Sequence, residues 1–160
     1  MTRLLSGAAA VAAALLISVL PASAQVVTMT ATLSGGEETP VLLTGAVGTA
    51  IVSVDVANQE LAVTLSIFNL ATGTTAGHIH VAPKGIAGPV VISFPIPTGR
   101  TGDLPLTFRL GTAAFVARPE IGIVTMADAI QSIVGGNAYV NIHTTQFGAG
   151  EIRGQLSVLQ

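Results

Sequence analysis

Residues 49–68 read TAIVSVDVANQELAVTLSIF, and this stretch decides the fold class. Apolar side chains occupy every second position on both sides of ANQE, a polar turn at residues 57–60. Alternation with a period of two is typical of half-buried β-strands, because successive side chains of a strand point to opposite faces. Two such runs joined by a short polar turn predict an antiparallel hairpin with one face in a core.

The same alternation continues outward along most of the chain. Further strands are predicted at 26–33, 90–96 and 104–110, and a terminal hairpin at 137–145 and 151–158. The pattern therefore predicts an all-β fold, an antiparallel immunoglobulin-like or Greek-key β-sandwich of seven to nine strands.

One segment departs from this pattern. The sequence TMADAIQSIVGG at 125–136 has apolar residues at helical spacing, and predicts one short helix near 125–134. Thr125 is a candidate N-cap, with Asp128 three residues later in the position of a capping box. Two glycines, Gly135 and Gly136, predict the point at which the helix stops.

The first 24 residues have the features of a signal peptide. Arg3 precedes an apolar run at 4–20, Pro21 breaks the run, and the small residues ASA at 22–24 form a cleavage site. We expect cleavage after Ala24 and a mature chain of residues 25–160 that forms a single domain. The protein is then exported, to the periplasm, the medium or the cell surface. The alternative is an uncleaved leader that anchors the domain in a membrane.

Charge and composition exclude several classes of function. Without Arg3 the chain has five Lys and Arg residues against eight Asp and Glu residues, so nucleic-acid binding has no electrostatic support. The chain lacks cysteine, and no serine lies in a nucleophile-elbow motif. The adjacent Glu37 and Glu38 fall in a predicted loop, where solvated carboxylates are common. We therefore expect a non-enzymatic module, with an unidentified protein or small ligand as its partner.

Three histidines provide the clearest candidate site. GHIHVAPKG at 77–85 contains His78 and His80, and NIHTT at 141–145 contains His143. On a strand, His78 and His80 share one face, while Ile79 and Val81 point to the core. A His-x-His pair plus one distant histidine is a ligand pattern suited to copper or zinc.

The terminal hairpin predicts which side chains lie beside His143. Matching its apolar positions pairs Ile142 with Ile152, or with a residue two positions away, because a slip of one residue would invert the buried face. The opposite face then carries Asn141 and His143 beside Glu151 and Arg153. The core face of the two segments is predicted to bury Ile79, Val140, Ile142, Ile152 and Leu156.

These side chains permit two interpretations of the predicted cluster. In the first, His78, His80 and His143 bind a copper or zinc ion, and Glu151 serves as a fourth ligand or as the partner of a ligand. In the second, the cluster is structural: histidines and Asn141 bond to backbone carbonyls, and Glu151 pairs with Arg153. The residue pattern leaves both interpretations open.

Three blocks of the sequence resemble the CHRD domain family, which is named after chordin. They are TATLSGGEETPVLLTGAVGTA at 30–50, AGHIHVAPKGIAGPVV at 76–91 and GNAYVNIHTTQFGAGEIRGQL at 136–156. The resemblance covers about 29–158 and implies an immunoglobulin-like β fold and export; in chordin the domain belongs to a secreted antagonist of growth factors. The family usually has Asn-Pro-Gly where this chain has FGA at 147–149. For microbial members the resemblance implies no particular activity.

Overall fold

The hairpin at residues 49–68 forms as predicted in the computed structural model, which describes residues 25–159. Strand β2 (Val47–Asp55) pairs antiparallel with strand β3 (Glu60–Leu70), with Val52 opposite Val63. The alternate side chains of both strands are buried, because the period of two places all of them on one face. These buried residues are Ala50, Val52, Val54, Leu61, Val63, Leu65 and Ile67.

Nine strands and one α-helix make up the described part of the chain. The other elements are β1 (Val26–Ser34), β4 (Thr74–Val81), β5 (Val90–Ser93), β6 (Gly102–Leu110), β7 (Ala138–Thr144), β8 (Ile152–Gln155), β9 (Ser157–Val158) and α1 (Met126–Val134). Short 3-10 turns occupy Gly35–Glu37, Thr112–Ala114 and Pro119–Ile121.

All nine strands belong to one antiparallel sheet that curls around a single core. The strand order is β5-β4-β7-β8-β1-β2-β3-β6, and β9 pairs with β1. The strand pairing between β8 and β1 is limited to a single residue pair, Ser34 with Arg153, and this narrow link joins the two halves of the sheet. Buried apolar side chains from both halves form one cluster. The all-β, sandwich-like fold of seven to nine strands with one helix is confirmed, and the sheet is continuous.

The helix begins and ends where its sequence signals indicate. Thr125 caps α1 by accepting a hydrogen bond from the backbone N–H of Asp128, and the Asp128 carboxylate accepts from the backbone N–H of Thr125. Gly136 then adopts a left-handed conformation, with φ of 76°, which glycine adopts without strain. The helix buries Met126, Ala129, Ile130 and Ile133 against the core.

The terminal hairpin adopts the predicted register, and this register positions the candidate site. Ile142 of β7 lies opposite Ile152 of β8, and β4 pairs with the other edge of β7. All five residues predicted for the core face are buried: Ile79, Val140, Ile142, Ile152 and Leu156. Every residue of β7 is buried, so its outer, polar face is covered as well as its core face.

The predicted signal peptide, residues 1–24, lies outside the described residues, and its cleavage stays a prediction. Among the described helices, none has the length and apolar character needed to cross a membrane.

Candidate metal centre

The pairing of β4 with β7 brings the three histidines together. His78 and His80 lie on the outer face of β4, where their strand neighbours on β7 are Asn141 and Tyr139. His143 follows two residues after Asn141 on the same face of β7. One ring nitrogen from each histidine can be chosen so that all three atoms lie within 4.8 Å of one another. His80 and His143 are buried and His78 is half-buried.

Hydrogen bonds determine which nitrogen of each histidine ring carries the proton. Nδ1 of His80 lies 2.8 Å from the carbonyl oxygen of Gly88, and Nδ1 of His143 lies 3.0 Å from that of Gly148. A carbonyl oxygen only accepts, so each Nδ1 is the donor and each Nε2 of the neutral ring keeps its lone pair. His78 Nδ1 lies 3.1 Å from His143 Nε2 and therefore donates to it.

Burial lowers the pKa of all three imidazoles and so favours their neutral form. Desolvation, followed by the neighbouring His143 and His80, lowers the pKa of His78 to about 4. Desolvation also lowers the pKa of His80, although its hydrogen bond to Gly88 acts in the opposite direction. The pKa of His143 is lowered by the same cause and raised in part by Gly148. Neutral imidazole is the form that binds a metal ion.

The Nε2 atom of His80 is a buried acceptor without a hydrogen-bond partner among the described residues. Its ring is anchored through Nδ1 to a backbone carbonyl, which is how metal-binding histidines are usually oriented. Two nitrogens at about 2.1 Å from one ion lie at most about 4.2 Å apart. The present separation of up to 4.8 Å therefore requires a small inward movement of the side chains. With that movement, and with the hydrogen bond from His78 to His143 Nε2 broken so that this lone pair is free, the donor set fits a transition metal.

Tyr139 and Arg153 cover one side of His80. The Tyr139 ring stacks on the His80 ring, with centroids 4.9 Å apart and planes within 9°, and its hydroxyl accepts from the backbone N–H of Gly88 at 3.1 Å. The guanidinium of Arg153 lies 4.2 Å from the centre of the Tyr139 ring. Tyr139 therefore holds both His80 and the loop that supplies the Gly88 carbonyl.

The structure gives Glu151 a partner that neither interpretation of the sequence named. Its Oε1 accepts a hydrogen bond from Thr44 Oγ1 at 2.7 Å, and it does not belong to the group of candidate ligands. The ion pair between Glu151 and Arg153, which belongs to the structural interpretation, is not formed; within residues 25–159 the ion pair is that of Lys84 and Glu37. Arg153 instead donates to the carbonyl oxygen of Ile86 at 3.4 Å. Thr44 lies in the loop at 35–44, whose 3-10 turn contacts the short β8. This packing places Thr44 within hydrogen-bond distance of Glu151.

Asn141 lies where the register predicts, beside His78 on β4 and Arg153 on β8. Its side chain converges with Glu38 on Gly150: a Cβ atom added there would lie 2.6 Å from Asn141 Oδ1 and 2.7 Å from Glu38 Oε1. Both oxygens are buried and lack a hydrogen-bond partner among the described residues. Gly150 has φ of 133°, so the close approach and the backbone conformation both require glycine there.

Sequence reasoning missed two side chains of this site. Tyr139 shares the face of Asn141 and His143 by the same alternation, so strand parity could have identified it. Glu38 was predicted to be solvated, and the structure corrects this, since only 8% of its surface is exposed. No local pattern marks it, because its burial depends on the packing of the loop at 35–44 against the terminal hairpin.

The protein is therefore an all-β domain that carries a group of three histidines on the outer face of its sheet. The CHRD domain family model matches residues 29–156, and the chain belongs to that family. No curated protein and no solved structure gave a match.

Proposed function

We propose that this protein is an exported, non-enzymatic binding module whose ligand is a copper or zinc ion. His78, His80 and His143 bind the ion, each through one ring nitrogen. Membership of the CHRD family supports a binding role, and the leader-like sequence at 1–24 supports export.

The unpartnered Nε2 atom of His80 carries the proposal. A buried acceptor without a partner costs a domain about 1–3 kcal/mol. The hydrogen bond from His80 Nδ1 to Gly88 leaves this lone pair free on a ring that belongs to the group of three histidines. A bound ion would satisfy it, whereas a purely structural cluster leaves it unpaired.

The donor set limits which ions fit. Imidazole nitrogens suit zinc and copper, while calcium and magnesium prefer oxygen ligands. Because burial lowers the pKa of all three histidines, little proton competition is expected at pH 7.

Titration calorimetry with Cu(II) and Zn(II) on protein without a histidine tag tests the proposal. His80→Ala and His143→Ala should each weaken binding at least tenfold, or about 1.4 kcal/mol. Gln146→Ala, an exposed change in the loop beside Gly148, is the matched control and should bind like the wild type. Metal should also raise the melting temperature of the wild type, because the ion binds the folded state.

The structural interpretation of the cluster predicts a different result. In that case His80→Ala and His143→Ala lower the free energy of unfolding by about 1–3 kcal/mol, through partners left unpaired. The wild type then binds neither ion, and added metal leaves its melting temperature unchanged. Absence of metal binding by the wild type would therefore reject the proposal and leave a module for an unidentified protein or small ligand.

A further inference from the structure

The three candidate ligands contribute no negative charge. Each is a neutral imidazole, and within the described residues no aspartate or glutamate belongs to the ligand group. Binding an ion there would leave its full charge uncompensated by the ligands. The charge of the surroundings therefore bears directly on which ion is preferred.

Two arginines flank His80. The Nε of Arg118 donates to the carbonyl oxygen of Val90 at 2.8 Å, and Val90 lies directly opposite His80 in the sheet. On the other side, Arg153 covers the Tyr139 ring, which stacks on His80. Arg153 is buried, with 3% of its surface exposed.

The carboxyl group of Glu38 compensates only part of this positive charge. Glu38 interacts electrostatically with Arg153, and burial raises its pKa to about 7, so a share of it is neutral at pH 7. Arg118 and Arg153 therefore add fixed positive charge beside His80. In a buried site of low dielectric, repulsion from fixed cations grows in proportion to the charge of the incoming ion.

Coordination number also favours a monovalent ion over zinc. Zinc sites are almost always four-coordinate and complete their shell with water or a fourth protein ligand. His80 and His143 are only 9% and 8% exposed, and Tyr139 packs against His80, so added water has little access to the site from their side. A monovalent ion that accepts three nitrogen ligands meets both restrictions.

We propose that this site selects cuprous ion, Cu(I), over the dications Cu(II) and Zn(II), and that Arg118 and Arg153 enforce this selection. The inference rests on the proposed metal-binding function. It adds an oxidation state and names two positioning residues that do not touch the ion.

Affinity measurements under anaerobic conditions test the selection. The dissociation constant for Cu(I), measured by competition with the chromogenic chelator bicinchoninate, should lie at least a hundredfold below that for Zn(II), and below that for Cu(II). Arg118→Met and Arg153→Met should each reduce the ratio of Cu(I) to Cu(II) affinity by about tenfold. This equals a fall of about 59 mV in the potential of the bound one-electron couple.

Two further variants separate charge from packing. Arg153→Lys keeps the positive charge and should retain most of the Cu(I) preference, whereas a purely structural role would make it resemble Arg153→Met. Arg100→Met removes an exposed arginine and should leave the affinity ratio unchanged. If Arg153→Met does not fold, the affinity ratio measured on Arg118→Met decides the question.

The outcomes distinguish this inference from the proposed function. If the wild type binds Zn(II) or Cu(II) through its histidines as tightly as Cu(I), the selection is rejected and metal binding stands. An unchanged affinity ratio in the folded arginine variants would also reject the inference. If the wild type binds none of the three ions, both proposals fall.

Discussion

Glu38 is a residue whose protonation the surroundings change strongly. Desolvation by burial raises its pKa from 4.5 to about 7, although Arg153 and the backbone N–H of Thr39 act in the opposite direction. Its Oε1 has no partner among the described residues, and protonation would turn the carboxyl group into a hydrogen-bond donor. The fold therefore favours the neutral form of Glu38.

This preference predicts a pH dependence of stability. Between pH 4.5 and about 7 the unfolded chain releases the Glu38 proton first, so the free energy of unfolding falls as the pH rises. The shift corresponds to a loss of about 3 kcal/mol by pH 8. Glu38→Gln should remove this loss, so the variant gains stability relative to the wild type on going from pH 5 to pH 8.

Urea denaturation at pH 5 and pH 8 measures the effect, with Glu120→Gln, an exposed glutamate, as the matched control. The histidines have the opposite effect on the free energy of unfolding. Because their pKa values are lowered in the folded state, this free energy rises with pH up to about 6.5. They are present in both proteins and cancel from the difference between Glu38→Gln and the wild type. An equal difference at the two pH values would contradict the assignment.

At the scale of elements, the terminal hairpin depends on its apolar register. Ile142 and Ile152 lie opposite each other and are both fully buried. Truncation of either to alanine removes buried methyl and methylene groups and leaves a cavity in a core that relaxes only partly. Each variant should therefore lose about 2–4 kcal/mol of unfolding free energy.

Chemical denaturation measures this loss, and Ile51→Ala is the matched control because Ile51 lies on β2 with 44% of its surface exposed. That control should change stability by less than about 1 kcal/mol. Unfolding midpoints near the wild-type value for both hairpin variants would mean that this pair contributes little to the core.

The same hairpin shows how far the sequence alone could go. The pairing of Ile142 with Ile152 follows from alternation across a short turn, because both strands and the turn are local. The pairing of β4 with β7 joins residues about 60 positions apart, and no local pattern specifies it. The prediction that His143 meets His78 and His80 was therefore an inference from the scarcity of histidine. The sequence did not indicate Thr44 as the partner of Glu151, because the loop that carries Thr44 has no periodic signal.

At the scale of the whole molecule, one curled sheet explains why the polar cluster is buried without joining the core. The strands β4, β7 and β8 present Ile79, Val140 and Ile152 to the shared core and their alternate side chains outward. Loops then cover the outward face: Gly88 and Ile86 accept from His80 and Arg153, and Gly148 accepts from His143. Strand parity predicts which residues face outward, but only the folded loops make that face dry enough to lower the pKa of its histidines.

At the scale of the whole molecule, the first contacts of β1 concern the residue at which the mature chain begins. The backbone N–H of Val56 donates to the carbonyl oxygen of Gln25 at 3.2 Å, and Val26 pairs with Asp55 as the first residue of β1. Cleavage after Ala24 would leave these contacts intact, since each of them involves residues from Gln25 onward.

We therefore expect exported protein to start at Gln25, and a variant that begins there to unfold at the same urea concentration as the processed protein. Mass spectrometry of the exported material identifies the N-terminus, with allowance for cyclisation of Gln25. Ala24→Lys should leave the leader attached, because the cleavage site requires a small residue at that position; Ala31→Ser, in β1 and beyond the site, should be processed normally. Recovery of wild-type protein with an intact Met1 in the membrane fraction would show that the leader is an anchor.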